Sequence, residues 1–242
     1  MVLPAQKITS GCILHFIIFS TIWLIMIKII NKNKDFVIIE KPYGVLSQKD
    51  VKGENGLVEL LSEQLGTAVY PVHRLDRPVG GVMVFALTKK AAAMLSAEGA
   101  FDKEYLAVVS GKTDEFPTTG EMQDYLFKDS AKGKSFVVKS DRRGARLARL
   151  AYEVLSSIET EQGLLSLVRV RLFTGRTHQI RVQFASRGMP LVGDGKYGSR
   201  IKSENIALWS HRIEINAPVN GEKRVFEALP SGNAVFEKFE IK

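Results

Sequence analysis

Residues 71–87 read PVHRLDRPVGGVMVFAL. Four polar side chains, His73, Arg74, Asp76 and Arg77, stand at the mouth of an apolar run with the composition of a buried strand. Taken alone, Asp76 caps a turn and the two arginines lie on the surface. The alternative is a carboxylate that does chemistry, acting as nucleophile or base. Two other segments bring residue types that such work needs. Asp102-Lys103-Glu104-Tyr105-Leu106-Ala107-Val108 sets a tyrosine among charged neighbours at the start of a second apolar strand. Gly175-Arg176-Thr177-His178-Gln179-Ile180-Arg181-Val182-Gln183 packs two arginines, a histidine and a glutamine into one turn-to-helix element. Their plain readings are an ordinary core tyrosine and a solvated helix end.

Other chemistries find little support. Gly111-Lys112-Thr113 has the end of a phosphate-binding loop, but Leu106 stands where its first glycine is required. Gly193-Asp194-Gly195-Lys196-Tyr197-Gly198 fits G-x-G-x-x-G, yet only a short apolar run precedes it and no helical period follows. It reads instead as a tight turn that exposes Asp194 and Tyr197. There is no G-x-S-x-G elbow. One cysteine, Cys12, precludes an internal disulfide, and with four scattered histidines it leaves no Cys/His metal-ligand spacing. No structural zinc is expected.

The chain that must position these residues has 242 of them, enough for one large domain with an ample core. Lys and Arg number 34 against 26 acidic residues, a net charge of +8 that favours polyanions such as nucleic acid, or anionic membrane surfaces. The stretch CILHFIIFSTIWLIMI (12–27) is about four residues short of the roughly 20 that cross a bilayer. It lacks a positive leader and a small-residue cleavage site. Met26 then opens MIKIINKNKDFVIIEKPYG, two β-type runs about a polar turn. We read residues 1–25 as a hydrophobic extension ahead of the real start, with a membrane anchor and a buried or partner-binding helix as the alternatives, and 26–242 as the catalytic domain.

Patterning predicts a hairpin (Ile27–Ile30, Phe36–Glu40), a helix over Leu57–Leu65 stopped by Gly66, and a buried strand over Gly81–Leu87. Thr88 caps a helix running to Glu98. Tyr105–Ser110 is a second buried strand, and 112–146 reads as polar and turn-rich, with the cluster Lys128, Lys132, Lys134, Lys139, Arg142, Arg143, Arg146 and Arg149 close by. Leu164–Leu172 alternates as a half-buried strand with Arg169 and Arg171 outward. Thr174–Arg187 and Asn233–Phe239 read as helices, and Ile206–Ile215 and Arg224–Glu227 as strands. The sum is an α+β fold with a mixed, largely antiparallel sheet and peripheral helices.

Taken together, HRLD (73–76), KEYLAVVSG (103–111), GRTHQIRVQ (175–183) and GMPLVGDGKYG (188–198) strongly resemble the RluA-type pseudouridine synthases. The four motifs occur in the family's order, with echoes in DFVIIEKPYGVLS (35–47) and LWSH (208–211). The resemblance covers the chain from about Asn31 to its C-terminus. Gly80-Gly81 stands where a Ser/Thr-Gly pair is more usual in the family, and Gln183 where a histidine is frequent.

The resemblance implies the pseudouridine synthase catalytic fold in a stand-alone, cytoplasmic member, monomeric and off the membrane, without an N-terminal RNA-binding module. The implied reaction breaks the N-glycosidic bond of a uridine in RNA and rejoins the base through carbon 5, with no metal and no nucleotide cofactor. Ribosomal RNA stands slightly ahead of transfer RNA as substrate. Asp76 is then the essential carboxylate, attacking ribose or base, or acting as a base that gives a glycal. To stay ionised away from water it needs a fixed cation, which the resemblance makes Arg181. Tyr105 stacks on the uracil, Leu208 supplies an apolar wall, and Arg74 fills the space of the flipped base. His73, Arg176 and His178 complete the substrate contacts, with Arg169, Arg171 and the 128–149 cluster along the RNA backbone. The rival readings are a non-catalytic RNA-binding protein on the same fold and a glycosylase that releases free base.

Overall fold

The computed structural model describes residues 26–111, 117–216 and 224–241. The readings placed on residues 1–25 lie outside these. The expected hairpin forms as β1 (Lys28–Lys32) and β2 (Phe36–Lys41), turned by Asn33, whose side-chain oxygen accepts the N–H groups of Asp35 and Phe36. Helix α1 (Leu57–Leu65) has the expected bounds, and Gly66 closes it in the left-handed conformation that glycine adopts without penalty. The short strand β3 (Tyr70–Pro71) leads to β4 (Gly80–Ala86), buried throughout. Thr88 caps α2 (Lys89–Leu95) by accepting the Ala91 N–H, and the helix ends a turn earlier than expected. Then come β5 (Phe101–Ser110), β6 (Thr119–Asp129), β7 (Lys134–Val138), β8 (Arg146–Thr160) and β9 (Gly163–Leu172). Helix α3 (Gln179–Ala185), a 3-10 turn at Gly195–Tyr197, β10 (Leu208–Ile215), β11 (Arg224–Glu227) and a last 3-10 turn at Phe236–Lys238 complete the fold.

All the strands join one sheet of order β1-β2-β4-β10-β5-β9-β8-β6-β7, with β11 beside β10 and β3 beside β4. Every pairing is antiparallel except β4 with β10. Both faces of the central strands are covered, so these strands read as continuous apolar runs. Met83, Phe85, Tyr105, Ala107 and Val109 face α1 and α3, while Val82, Val84 and Ala86 face α2. Leu106, Val108 and Trp209 pack under the C-terminal turn through Phe236 and Phe239.

The sequence reading differs most from the structure in three regions. Residues 112–146 hold two strands, β6 and β7, and 15-residue β8 follows. These strands lie toward one end of the sheet, where charged side chains occupy the solvent face and mask the period. The helix over 174–187 shrinks to Gln179–Ala185, because His178 sits at φ 56° in the left-handed region and breaks it. The C-terminal helix is a single 3-10 turn.

The parallel β4–β10 contact is short, Gly80 opposite Trp209 and Gly81 opposite Ser210, yet it joins the two halves of the sheet. At Gly80 a Cβ would strike the Trp209 ring, and at Gly81, with φ 116°, it would strike the Ser210 backbone. The glycine pair therefore sets how closely the halves approach. We predict that Gly81→Ala costs about 2–4 kcal/mol of stability, from backbone strain plus overpacking. A urea midpoint lowered at unchanged m-value is the expected result; a cost below about 0.5 kcal/mol would show that the seam tolerates a side chain.

Candidate active site

The β4–β10 seam opens onto a cavity of about 420 Å3 on the α1/α3 face. That volume lies within the roughly 300–1,000 Å3 of small-ligand pockets. Asp76 comes from the loop between β3 and β4, Tyr105 from β5, Leu208 from the first residue of β10, and Arg181 from α3. All four line this cavity, as do His73, Arg74, Arg176 and His178. The structure thus gathers the eight residues named for catalysis and substrate contact.

The loop carrying Asp76 is clamped from below. Lys41, fully buried, donates its ammonium to the carbonyls of Pro42, Arg77 and Val79 at 3.0, 3.2 and 2.7 Å. Burial pulls its pKa down to about 7, with the charge of Asp76 pushing the other way. Ser47 accepts the Leu75 N–H and donates to the Leu75 carbonyl, and the Gly44 N–H donates to the Arg77 carbonyl. The KPYG turn and its neighbours, an echo in the sequence, are the floor under the carboxylate.

At the centre, Arg181 Nη1 donates to Asp76 Oδ2 at 3.1 Å. The other side of the guanidinium makes a two-pronged pair with Asp194, Nε to Oδ2 at 2.6 Å and Nη2 to Oδ1 at 2.9 Å. Side-chain exposures of 4% for Arg181, 1% for Asp194 and 21% for Asp76 show which groups are locked inside and which one faces the cavity. Burial alone would weaken the charge on Arg181. The hydrogen bonds and charge of Asp194, then those of Asp76, more than offset it and raise the guanidinium above its usual range. The Tyr197 ring lies 5.1 Å from the Arg181 Cζ.

Asp194 is the buried partner of Arg181 that sequence reading missed. The 193–198 segment was expected to expose Asp194 and Tyr197; both are buried. The motif GMPLVGDGKYG held the signal, but a turn rich in glycine gives no periodicity from which an inward carboxylate could be read.

Tyr197 also sets His178. Its hydroxyl accepts the Ser135 N–H at 2.8 Å and lies 2.8 Å from His178 Nδ1. The opposite ring nitrogen, Nε2, stands 3.5 Å from Asp76 Oδ2. A carboxylate selects an N–H on that side, so the phenol donates to Nδ1 and Nε2 carries the proton. Burial lowers the pKa of His178, with Asp76 opposing. Tyr105 is buried, and burial and then the charge of Asp76 raise its hydroxyl well above the usual tyrosine range, so it stays protonated.

Two substrate contacts expected from sequence have other duties. His73 Nε2 accepts the Val84 N–H at 3.0 Å, filling a slot in the ladder beyond the end of β3, and burial lowers its pKa to about 3. Arg176 Nε donates to the Leu147 carbonyl at 2.9 Å, although its side chain remains exposed on the rim. The basic strand face is largely compensated: Arg169 pairs with Glu153, Arg171 with Asp102 and Arg149 with Glu121. On the β6–β7 hairpin and the turn after it, Lys132 and Lys134 lie over Phe136, and Arg142 over Phe127.

Comparison with known proteins places the fold and the family. Two human structures share the fold, RNA Pseudouridylate Synthase Domain Containing 1 (TM-score 0.71, 22% identity, 85% of this chain and 84% of that one) and Domain Containing 4 (TM-score 0.67, 23% identity, 84% and 88%). The family described as RNA pseudouridylate synthase matches residues 35–186. The tRNA pseudouridine synthase C of Vibrio vulnificus is 32% identical over 89% of this chain and 96% of its own length. The ribosomal large subunit pseudouridine synthase D of Borreliella burgdorferi is 27% identical over 88% and 68%. The chain belongs to the RNA pseudouridylate synthase family, and it is an isomerase whose substrate is RNA.

Removing Asp194 would leave Arg181 buried with half its counter-charge. Asp194→Ala is expected to destabilise the fold by about 3–5 kcal/mol, the cost of breaking a buried ion pair from one side. Chemical denaturation measures it; a loss under about 1 kcal/mol would mean that Asp76 alone suffices to hold the guanidinium.

Proposed function

We propose that the chain converts uridine to pseudouridine in transfer RNA, with Asp76 as the catalytic carboxylate. The observation that carries this reading is the carboxylate itself: it faces the cavity and is bonded to a cation buried behind it. The C1′–N1 bond of uridine breaks, the base turns, a C1′–C5 bond forms, and the proton of C5 leaves to water while N1 gains one. Asp76 either attacks or takes a proton, and in both cases Arg181 binds and aims it. Tyr105 and Leu208 provide the flat and apolar walls for the uracil at the seam. His178 Nε2 stands 3.5 Å from the carboxylate. Arg74, exposed two residues before Asp76, enters the stack in place of the flipped base.

Sequence alone leaned towards ribosomal RNA. The relatives favour transfer RNA, because the tRNA pseudouridine synthases C of two Vibrio species align over 95% and 96% of their own lengths, whereas the synthase D relative aligns over 68%. Lysines of the β6–β7 hairpin, without carboxylate partners among the described residues, supply the attraction for the phosphate backbone. The membership of the family and the presence of both Asp76 and Tyr105 weigh against a non-catalytic binder.

The test uses RNA tritiated at uridine C5 and taken from cells lacking this protein. The unsubstituted chain is expected to release tritium without releasing free uracil, which a glycosylase would do. Asp76→Asn should bind RNA and fold normally but turn over at less than about 1% of that rate. Arg181→Lys should lose about a hundredfold or more in kcat, since a lysine cannot make the planar two-sided contact. Residual turnover well above these limits would remove the corresponding residue from the mechanism.

A further inference from the structure

A second cavity of about 300 Å3 lies on the other side of Asp76, lined among others by Gln48, Arg74, Arg77, His178 and Lys196. Asp76, Arg74 and His178 border both cavities, so the carboxylate stands on a ridge between two lobes of one cleft. The first lobe has the tyrosine and leucine walls suited to a base. The second has four cations, Arg74, Arg77, Arg181 and Lys196, and Asp76 is its one carboxylate.

Of these cations, Arg77 is committed to Glu54 at 2.8 Å and to the Gly44 carbonyl. Lys196 has no carboxylate partner among the described residues. It is exposed, and its ammonium spends a single N–H on the Gly133 carbonyl at 3.1 Å, leaving two donors free. It also belongs to the Gly195–Tyr197 turn, whose inward residues are fixed: Asp194 grips Arg181, and Tyr197 holds Ser135 and His178. The same turn that sets the catalytic cation thus holds Lys196 at a fixed place beside Asp76.

We propose that Lys196 binds a phosphodiester of the RNA strand next to the target uridine, making the second lobe a backbone subsite. The inference rests on RNA as the substrate. A ribose brought to Asp76 carries a phosphate on each side, and with the base in the first lobe one of them must leave across the ridge. There it meets an ammonium with spare donors and no carboxylate partner among the described residues. The charge of Lys196 also disfavours protonation of His178, as expected of a cation close to the catalytic group.

The test is the salt dependence of binding, measured in the Asp76→Asn background with transfer RNA from cells lacking this protein. Lys196→Ala should make the plot of log affinity against log salt shallower by about 0.7–0.9, one released counterion, and weaken binding about five- to tenfold at low salt. Lys196→Arg should restore both. Lys196→Gln keeps a donor for Gly133 but not the charge, and should behave like the alanine variant. With Asp76 present, KM for tritium release should rise by a similar factor. An unchanged slope, or a glutamine variant that behaves like the unsubstituted chain, would assign Lys196 to tethering the turn and overturn the proposal. Absence of tritium release by the unsubstituted chain would instead count against the reaction, while the slope still reads Lys196.

Discussion

A guanidinium sealed from water, at 4% exposure, must find its counter-charge inside the protein or cost several kcal/mol. Arg181 finds it twice. Asp194 takes two of its nitrogens in a fully buried pair, and Asp76 takes the third from the wall of the cavity. The division matters. Because Asp194 satisfies the inner half of the charge and fixes the plane of the group, the outer half is presented at one angle to a carboxylate that remains open to substrate. A cation with Asp76 as its sole partner would bind it as tightly but leave its own orientation free.

The rest of the molecule holds the two ends of that contact in place. Asp76 is carried by a loop pinned by the Arg77 and Val79 carbonyls on the Lys41 ammonium and by Ser47 on Leu75. Arg181 rides on α3, whose Ile180 and Phe184 sink into the core cluster that also contains Tyr105 and Leu208. The two halves of the sheet meet at the glycine pair of β4, so the distance from Asp76 to Tyr105 is fixed by a backbone contact rather than by side chains that could adjust. Each device is rigid, and together they hold the carboxylate and its cation in fixed register at the cavity wall.

Most of the site was legible in the sequence because its residues sit in short, dense motifs: HRLD, KEY and GRTHQIR each put a polar side chain against an apolar run. The buried strands β4 and β5 and helix α1 were legible for the same reason, since nothing in their periods conflicts. What escaped notice depends on tertiary contact. Asp194 looks like any turn aspartate until Arg181, 13 residues earlier, is folded over it. His178 looks helical until the left-handed backbone aims its ring at Asp76 and Tyr197. Strands β6 to β8 carry charges on their open faces, and the basic surface inferred from Arg169 and Arg171 is largely cancelled by Glu153 and Asp102, on strands that only the sheet brings alongside.

The most direct measurement is a site-resolved map of pseudouridine in the transfer and ribosomal RNA of cells with and without this protein. The account predicts that one or a few uridines of transfer RNA lose the modification on deletion. They should regain it when the unsubstituted chain is supplied, and not with Asp76→Asn at equal abundance. Modification restored by Asp76→Asn would contradict the role of the carboxylate on which everything above depends, and loss confined to ribosomal RNA would contradict the choice of substrate.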